Sequence, residues 1–302
     1  MIKVSRQPFD PGPAAWNEIL PPHSGFPELQ KTTTADVLII GGGFAGLSAA
    51  RRLHQLDPKL RIVLLEARRI AEGPAGRNSG FMIDLPHNLG SSNYAGQTNS
   101  DLEVTAVNRT AIAFAREAVK EYGMSAETFA ESGKINAAAT DRGHRHNLDY
   151  ARHLEKMGEA HTVLDEAGMR ELCGSDYYRS GLFTPGTAML QPALYIRSLA
   201  DGVKRAGIEI HENSPVTALQ KSGSGWKATA PNGAVNAGKV ILATNGHVES
   251  FGFFKRRLMH IYLYASMTKP LDDNQLHRLG GQERWAFTPA DPMGTTVRKI
   301  SG

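Results

Sequence analysis

The sequence contains a single cysteine, Cys173, in 302 residues. One thiol excludes a disulfide framework within the chain and any zinc or iron–sulfur centre built from several cysteines. So little cysteine is typical of proteins of the reducing cytosol, and we therefore expect a cytoplasmic protein. Cys173 itself is interpreted as a small buried apolar residue.

Long hydrophobic runs are also missing, because no stretch approaches the roughly 20 apolar residues that span a bilayer. The first 34 residues are rich in proline and polar groups, and they lack the apolar segment of a signal peptide. The 34 basic and 30 acidic residues are scattered rather than collected in runs. We therefore expect neither a membrane nor a nucleic acid as a partner, but a small molecule. The oligomeric state is not indicated.

Glycine is in excess, with 31 residues of 302, against a usual level of about 7%. The apolar run Ala35–Ile40 predicts a buried parallel strand, which stops at the glycine-rich stretch Gly41–Gly46. Helical periodicity follows over 43–55, and a second apolar run covers 60–65. Strand, helix and strand within about 30 residues predict one βαβ unit.

The stretch 41–46 fits the pattern G-x-G-x-x-G, which is typical of dinucleotide binding when a strand precedes it and a helix follows. Its glycines would allow a tight turn, close approach of a pyrophosphate, and close contact of helix and strand. Glu66 follows the second strand, 20 positions after Gly46, as expected for a carboxylate that accepts from the ribose hydroxyls. The contacts expected here come from Gly41, Gly43, Phe44, Ala45, Gly46, Glu66, Ala67 and Arg68.

This pattern does not separate FAD from NAD, because both carry an adenosine diphosphate half. A second glycine-punctuated loop, Gly73–Gly80, follows where an NAD domain would usually continue into its next helix. Its Arg77 is suited to a phosphate or to a flavin edge, but an ordinary surface arginine is the alternative. Asn78 and Ser79 fit hydrogen bonding to a flavin and turn formation equally well.

With these motifs the chain resembles the D-amino-acid-oxidase-like family of FAD oxidoreductases, in particular the branch with glycine oxidase and gamma-glutamylputrescine oxidoreductase. The segments that carry the resemblance span most of 35–270: Asp36–Gly43, Glu66-Ala67, Gly76–Gly80, Gln191-Pro192 and Val240–Gly246. The resemblance implies FAD as cofactor. It also implies cofactor contacts from Gly76, Arg77, Asn78, Ser79, Gly80, Val216, Ala243, Thr244, Asn245 and Gly246.

The fold that the resemblance implies is α/β, with a Rossmann-type FAD-binding domain, a mostly parallel sheet flanked by helices, and an inserted α+β substrate domain. We expect an arm over 1–34, the FAD-binding domain in 35–130 and 191–250, and the substrate domain in 131–190 and 251–302. The implied reaction oxidises a C–N bond of an amine or amino acid by hydride transfer to flavin N5. Imine hydrolysis and flavin reoxidation by oxygen or another acceptor follow, and no dedicated base is required if the amine arrives neutral.

The substrate pocket is sought on a strand predicted over Arg257–Lys269, where His260, Tyr262 and Tyr264 would share one face. Packing of that face on a neighbouring element is an equally good interpretation. A metal site is not expected. His146, Asp149 and His153 would share one helix face, but arginines crowd the same stretch and favour a solvated polar helix. His87 and His247 are interpreted as structural histidines.

Family members continue beyond the point that corresponds to Gly302. Thr295–Ile300 predicts a strand and Ser301-Gly302 the start of its turn, with no partner strand after it. We therefore expect a chain truncated at its C-terminus, which binds FAD weakly or not at all. An NAD-binding dehydrogenase and a non-catalytic dinucleotide-binding protein stay open as alternatives.

Overall fold

The computed structural model describes residues 1–9, 12–86, 91, 94, 96–291 and 294–300. His87 and the turn predicted at Ser301-Gly302 lie outside these residues. The helices described are α1 (Ala15–Glu18), α2 (Phe44–Leu56), α3 (Thr98–Tyr122), α4 (Asp141–Met157), α5 (Glu166–Cys173), α6 (Pro192–Arg205) and α7 (Asp273–Leu279). Short 3₁₀ helices cover Pro74–Gly76, Ala126–Thr128 and Asn245–Phe251. Of the helices described, none is long and apolar enough to cross a membrane.

The strands described are β1 (Ile2–Lys3), β2 (Thr32–Ile40), β3 (Ile62–Leu65), β4 (Phe81–Met82), β5 (Phe129–Ala130), β6 (Lys134–Ala138), β7 (Thr162–Leu164), β8 (Ser180–Thr184), β9 (Ala188–Leu190), β10 (Glu209–His211), β11 (Ala218–Ser222), β12 (Gly225–Ala230), β13 (Gly233–Leu242), β14 (Trp285–Pro289) and β15 (Val297–Lys299). Together with the helices they form a mixed α/β fold, as the sequence predicts.

The chain divides into two compact units. The first contains Met1–Asn78, Tyr122–Met124 and Gln191–Ser266, and the second contains Ser79–Glu121, Ser125–Leu190 and Met267–Gly302. The segment 79–121, which we expected in the FAD-binding domain, therefore lies in the second unit. The reason is pairing with other parts of that unit, because β4 pairs with β9 and Arg109 on α3 forms an ion pair with Glu159.

The first unit is built on a seven-stranded sheet in the described order β1-β11-β12-β13-β2-β3-β10. Its parallel half contains β13, β2, β3 and β10, and its other strands pair antiparallel. The end of β2 is buried on both faces, with Leu38 and Ile39 fully inaccessible, as a near-continuous apolar run predicts. Pro231 and Asn232 join β12 to β13 in a tight hairpin connection, since Ala230 pairs with Gly233.

Residues at both ends of α6 account for where the helix begins and ends. Gln191 caps it, since its Oε1 accepts a hydrogen bond from the Leu194 N–H at 2.8 Å, and Pro192 occupies the first turn. Its apolar face buries Ile196, Leu199 and Val203. Gly207 follows with φ +99°, a conformation that favours glycine.

The second unit contains a five-stranded sheet, β15-β14-β6-β8-β7, and a three-stranded sheet, β4-β9-β5, within the described residues. The prediction of a solvated α4 is wrong, because this helix buries Tyr150 and Leu154 against Leu182 of β8. Two of the three side chains weighed as metal ligands have other partners. His153 Nε2 lies 2.7 Å from Asp101 Oδ2, and Asp149 pairs with Arg152.

The strand predicted over Arg257–Lys269 is also wrong. Residues 257–269 have no regular secondary structure, and no strand in the described part of the chain pairs with them. An isolated strand cannot satisfy its backbone hydrogen-bonding groups, so alternation of side chains alone does not produce one. Tyr262 is 79% and Tyr264 98% exposed, so these two rings do not form the expected half-buried face.

We expect the chain to self-associate through the exposed apolar residues of the segment 257–269. Ile261 and Leu263 are 74% and 89% exposed beside the two tyrosines, and contiguous exposed apolar surface of this kind promotes association. We expect Ile261→Lys/Leu263→Lys to raise the monomer fraction in sedimentation velocity runs over a concentration series. Val107→Lys, at an apolar residue 68% exposed on α3 and outside this segment, is the control. An unchanged monomer fraction in the double variant would contradict this expectation.

Lys134 predicts a pH-dependent stability of the second unit. Its side chain is 3% exposed, and Nζ donates to Asn136 Oδ1 and, at 3.3 Å, to Thr288 Oγ1. Burial lowers the pKa of Lys134 to about 7, against a smaller opposing effect of Asp84. At pH values between this pKa and the higher pKa of a lysine in the unfolded chain, Lys134 is protonated only in the unfolded state. The free energy of unfolding therefore rises with pH, by at most about 1.4 kcal/mol per pH unit.

We therefore expect Lys134→Met to remove most of this rise between about pH 7 and pH 10. The measurement is chemical denaturation over that pH range. Lys156→Met, which removes an exposed lysine of the same unit, is the control and should keep the slope. Equal slopes for Lys134→Met and the unaltered chain would refute the assignment.

Candidate functional site

The turn between β2 and α2 has two positions that only glycine can occupy. Gly41 has φ +110°, and a Cβ there would lie 2.5 Å from the Ala243 carbonyl oxygen. A Cβ on Gly46 would lie 1.9 Å from the Gly41 carbonyl oxygen, so α2 contacts the turn at backbone distance. At Gly43 a Cβ would meet, among the described residues, Ala75 Cβ at 3.5 Å, which is ordinary contact. A ligand could therefore approach the backbone at Gly43 without meeting a neighbouring backbone group from the described residues.

Gly43 is also the N-cap of α2 and has no side chain with which to cap it. The N–H groups of a first helical turn lack partners within their own helix and carry the positive end of the helix dipole. Phe44 and Ala45 occupy this first turn, and the Phe44 ring stacks on Tyr195 of α6 with centroids 6.0 Å apart. The start of α2 is thus suited to an anion.

Glu66 lies directly after β3 and faces this turn. The Gly42 N–H donates to its Oε2 at 2.8 Å, and the Arg68 N–H donates to its Oε1 at 3.0 Å. Burial raises the pKa of Glu66, the nearby Glu212 adds to the rise, and the backbone hydrogen bonds partly offset it. The carboxylate is therefore fixed at the turn and keeps acceptor capacity for a further donor.

The carboxyl ends of three parallel strands meet at this turn. The Gly41 N–H donates to Leu65 O at 2.8 Å, and the Ala243 N–H donates to Ile40 O at 2.8 Å. Ala243 opens the segment 243–246, where Asn245 has φ +48°. The hydroxyl of Thr244 is buried and has no hydrogen-bond partner among the described residues.

Gly246 brings one of the expected pocket residues close to this segment. A Cβ there would lie 2.6 Å from the ring of His260. The His260 Nε2 is 2.8 Å from Glu249 Oε2, which gives this histidine a fixed position in the first unit. Tyr262 and Tyr264 do not share that position, because both are exposed.

The second glycine loop divides between the two units. In the first unit, Arg77 Nε donates to Glu72 O at 2.6 Å and Nη2 donates to Gly12 O, so its guanidinium is held by backbone carbonyls. Asn78 Nδ2 donates to Ala75 O at 2.8 Å, within the turn. Gly76 packs tightly, since a Cβ would lie 1.9 Å from Ala71 O.

Ser79 and Gly80 belong to the second unit. Gly80 has φ +82°, and its carbonyl accepts from the Leu190 N–H at 2.7 Å. Arg298 Nη1 donates to Ser79 O at 2.6 Å and to Leu190 O at 2.9 Å. Burial lowers the pKa of Arg298 to about 10.

The segment after β10 lies beside Glu66. The Glu66 N–H donates to His211 O at 2.8 Å, and the Ser214 N–H donates to Glu66 O at 2.9 Å. Val216 is buried, with 3% exposure, in the core of the first unit. Ala67 and Arg68 continue the chain from Glu66, and neither is buried.

Sequence reasoning missed Glu212, which is 2% exposed. Its carboxylate accepts from the Ile70 N–H at 2.6 Å and from the Phe26 N–H at 2.9 Å. The sequence feature that could have identified Glu212 is its position directly after a parallel strand, which Glu66 shares. Groups of three or more metal-ligating side chains are absent from the part of the chain that the structure describes.

Comparison with known proteins identifies relatives over most of the chain. Residues 36–300 match the DAO family, described as FAD dependent oxidoreductase. The chain is 27% identical over 251 residues to the "Probable oxidoreductase OrdL" of Rhizobium meliloti, covering 80% of this chain and 56% of the relative. It is also 27% identical over 230 residues to the gamma-glutamylputrescine oxidoreductase of Escherichia coli, covering 75% and 52%.

Among solved structures, the chain is similar to glycine oxidase from Geobacillus kaustophilus. The TM-score is 0.61 at 19% sequence identity, and the match covers 72% of this chain and 57% of that one. At this identity the likeness is one of fold. The chain spans about half the length of the curated relatives that it matches.

Proposed function

Because the chain belongs to the DAO family of FAD-dependent oxidoreductases, whose cofactor is FAD, we propose that its first unit binds the ADP half of FAD at the turn Gly41–Gly46. The observation that carries this proposal is the pairing of that turn with Glu66, whose carboxylate accepts from the Gly42 N–H at 2.8 Å. An ADP group needs N–H donors for its phosphates and an acceptor for its ribose hydroxyls.

The residues present fit such a group. The backbone at Gly43 is open to approach, whereas Gly41 and Gly46 are closed by neighbouring carbonyls. We assign the pyrophosphate to Gly43, Phe44 and Ala45, and the ribose to Glu66 with Ala67 and Arg68 beside it. The buried hydroxyl of Thr244, without a described partner, supports a ligand next to this segment.

The remaining cofactor contacts are proposed from the resemblance and fit the local geometry. We assign the adenine to the segment that ends at Val216, and one side of the dinucleotide to the segment 243–246. The loop Gly76–Gly80 is assigned to the flavin side. In this arrangement Arg77 orients the loop through its bonds to Glu72 O and Gly12 O.

We propose that the whole protein oxidises a C–N bond of an amine or amino acid. FAD, when bound, supplies the hydride acceptor for such a reaction. Support comes from the named activities of relatives, which include gamma-glutamylputrescine oxidoreductase and sarcosine dehydrogenase. In this reaction the chain itself holds the cofactor. Of the residues expected in the substrate pocket, His260 is the one with a defined position, beside Gly246.

A ligand titration tests the cofactor site. ADP should bind to the purified protein, and FAD, for which the sequence predicts weak or no binding by this chain, should bind in competition with ADP. FMN, which lacks the AMP part of FAD and with it the adenosine and one phosphate, should bind at least tenfold more weakly. Binding of NAD in preference to FAD would instead support a nicotinamide-dependent dehydrogenase.

Anaerobic reduction tests the substrate class. The FAD-loaded protein is mixed with gamma-glutamylated polyamines, glycine, sarcosine and D-amino acids, and loss of the visible flavin absorbance is followed. At least one amine should bleach the flavin. Stable FAD binding without reduction by any of these amines would favour a non-catalytic dinucleotide-binding protein.

A further inference from the structure

Two neighbouring residues of α1 donate hydrogen bonds to the loop 71–78, in addition to the bond from Arg77 of the loop to Gly12 O of the N-terminal arm. Trp16 Nε1 donates to the carbonyl oxygen of Asn78 at 2.9 Å. Asn17 Nδ2 donates to the carbonyl oxygen of Ala71 at 2.9 Å, and the Asn17 side chain is buried, with 6% exposure. The two bonds therefore fix the two ends of the loop.

The loop itself is held in an unfavourable backbone conformation. Ala71 has φ +67°, a region that side-chain-bearing residues rarely adopt. Its carbonyl oxygen lies against Gly76, where a Cβ would come within 1.9 Å. Hydrogen bonds within the loop, such as that from the Gly76 N–H to Gly73 O at 3.0 Å, hold part of this geometry, and Asn17 adds a bond from outside to that same Ala71 carbonyl.

The arm is in turn anchored to the body of the first unit at several points. Gln191 Nε2 donates to Trp16 O at 3.0 Å, while its Oε1 caps α6. Further along the arm, the Phe26 N–H donates to Glu212 Oε2 at 2.9 Å, and the Leu29 N–H donates to Ser214 Oγ at 2.9 Å. The arm thus runs from the loop 71–78 to the segment beside Glu66.

We propose that Trp16 and Asn17 are positioning residues that hold the loop 71–78 in the conformation that receives the flavin side of FAD. This inference rests on the proposed function, because it assigns a role to the arm at that same cofactor site. The arm acts through the loop and has no assigned contact with the cofactor. Loss of the hydrogen bonds from the arm therefore weakens the binding of FAD more than the binding of ADP, because ADP is held at Gly41–Gly46 and Glu66.

The test compares FAD and ADP affinities of Trp16→Phe, which removes the indole donor and keeps an aromatic ring. One lost hydrogen bond predicts about a fivefold to tenfold weaker FAD affinity, with ADP affinity changed less than twofold and an altered visible spectrum of the bound flavin. Ile19→Ala, at an arm residue that is 49% exposed, is the matched control. Thermal unfolding without ligand shows whether each variant folds.

The outcomes separate this inference from the proposed function. If the unaltered protein binds neither FAD nor ADP, the proposed function fails. If it binds both and Trp16→Phe keeps the FAD-to-ADP affinity ratio and the flavin spectrum, the arm has no positioning role. Should Trp16→Phe not fold, Asn17→Ser is measured in the same way, and an unchanged ratio there overturns the inference.

Discussion

Replacing Gly46 with alanine is expected to abolish detectable FAD and ADP binding and to lower the stability of the first unit. The added Cβ would lie 1.9 Å from Gly41 O, 3.1 Å from the Gly41 carbonyl carbon and 3.3 Å from Ile39 Cγ2. The nearest atom is backbone, so α2 must move away from the turn. Overpacking of this kind costs about 1–3 kcal/mol or more, and the displaced helix no longer aims its N-terminus at a ligand.

The measurement for Gly46→Ala is calorimetric titration with FAD and ADP, together with thermal unfolding of the free protein. The control is Gly223→Asn, in the β11–β12 turn of the same unit. A Cβ there meets nothing within 4 Å among the described residues, and asparagine tolerates the φ of +58°. A Gly46→Ala variant that binds ADP normally would contradict the role assigned to the turn.

Removing the Glu66 carboxylate is the second change with a large expected effect. Glu66→Ala should weaken FAD and ADP binding about 10–100-fold, because a hydrogen bond to a charged group contributes about 1.5–3 kcal/mol. It also removes the acceptor for the Gly42 N–H. The affinities of Glu66→Gln for FAD and ADP should lie between those of the unaltered protein and those of Glu66→Ala. The glutamine keeps an acceptor oxygen but loses the charge.

The pH dependence of ADP affinity gives an independent check on Glu66. Burial raises the pKa of this carboxyl, and the ionised form is the better acceptor for ribose hydroxyls. ADP affinity should therefore increase as pH rises through that pKa, and Glu66→Gln should remove the increase. Asp57→Ala, at an exposed acid beyond the far end of α2, serves as the control for loss of a charge. Equal pH profiles for Glu66→Gln and the unaltered protein would count against a ribose-binding role.

Local sequence signals predicted the first unit well because each has a direct physical cause. The apolar run before Gly41 forms β2, the periodic stretch after it forms α2, and Glu66 follows β3. Steric exclusion at Gly41 and Gly46 is confirmed by the distances to neighbouring carbonyls. These features depend on residues close in sequence, so spacing alone carries the information.

Features that depend on distant partners could not be predicted in this way. The alternation over Arg257–Lys269 resembled a strand, but a strand requires a neighbour, and none in the described residues pairs with it. The arm over 1–34 is rich in proline and polar groups, and its sequence predicts no long regular element. Its place is set by single polar bonds, such as that from Asn17 to Ala71 O, which leave no periodic signal.

The position of Arg77 illustrates the same limit. Its charge and planar donor group suggested a phosphate or flavin partner. In the structure its donors bond to Glu72 O and to Gly12 O of the arm. Which acceptor an arginine meets depends on where a distant segment lies, and the residue type alone cannot indicate it.

The central claim is that the ADP half of FAD binds at Gly41–Gly46 with Glu66 as the ribose acceptor. Competitive titration of FAD by ADP, on the unaltered protein and on Glu66→Ala, tests it most directly. We expect no more than one FAD per chain, full displacement of FAD by ADP, and a parallel loss of affinity for both ligands in Glu66→Ala. FAD binding that ADP does not displace, or that Glu66→Ala leaves unchanged, would contradict it.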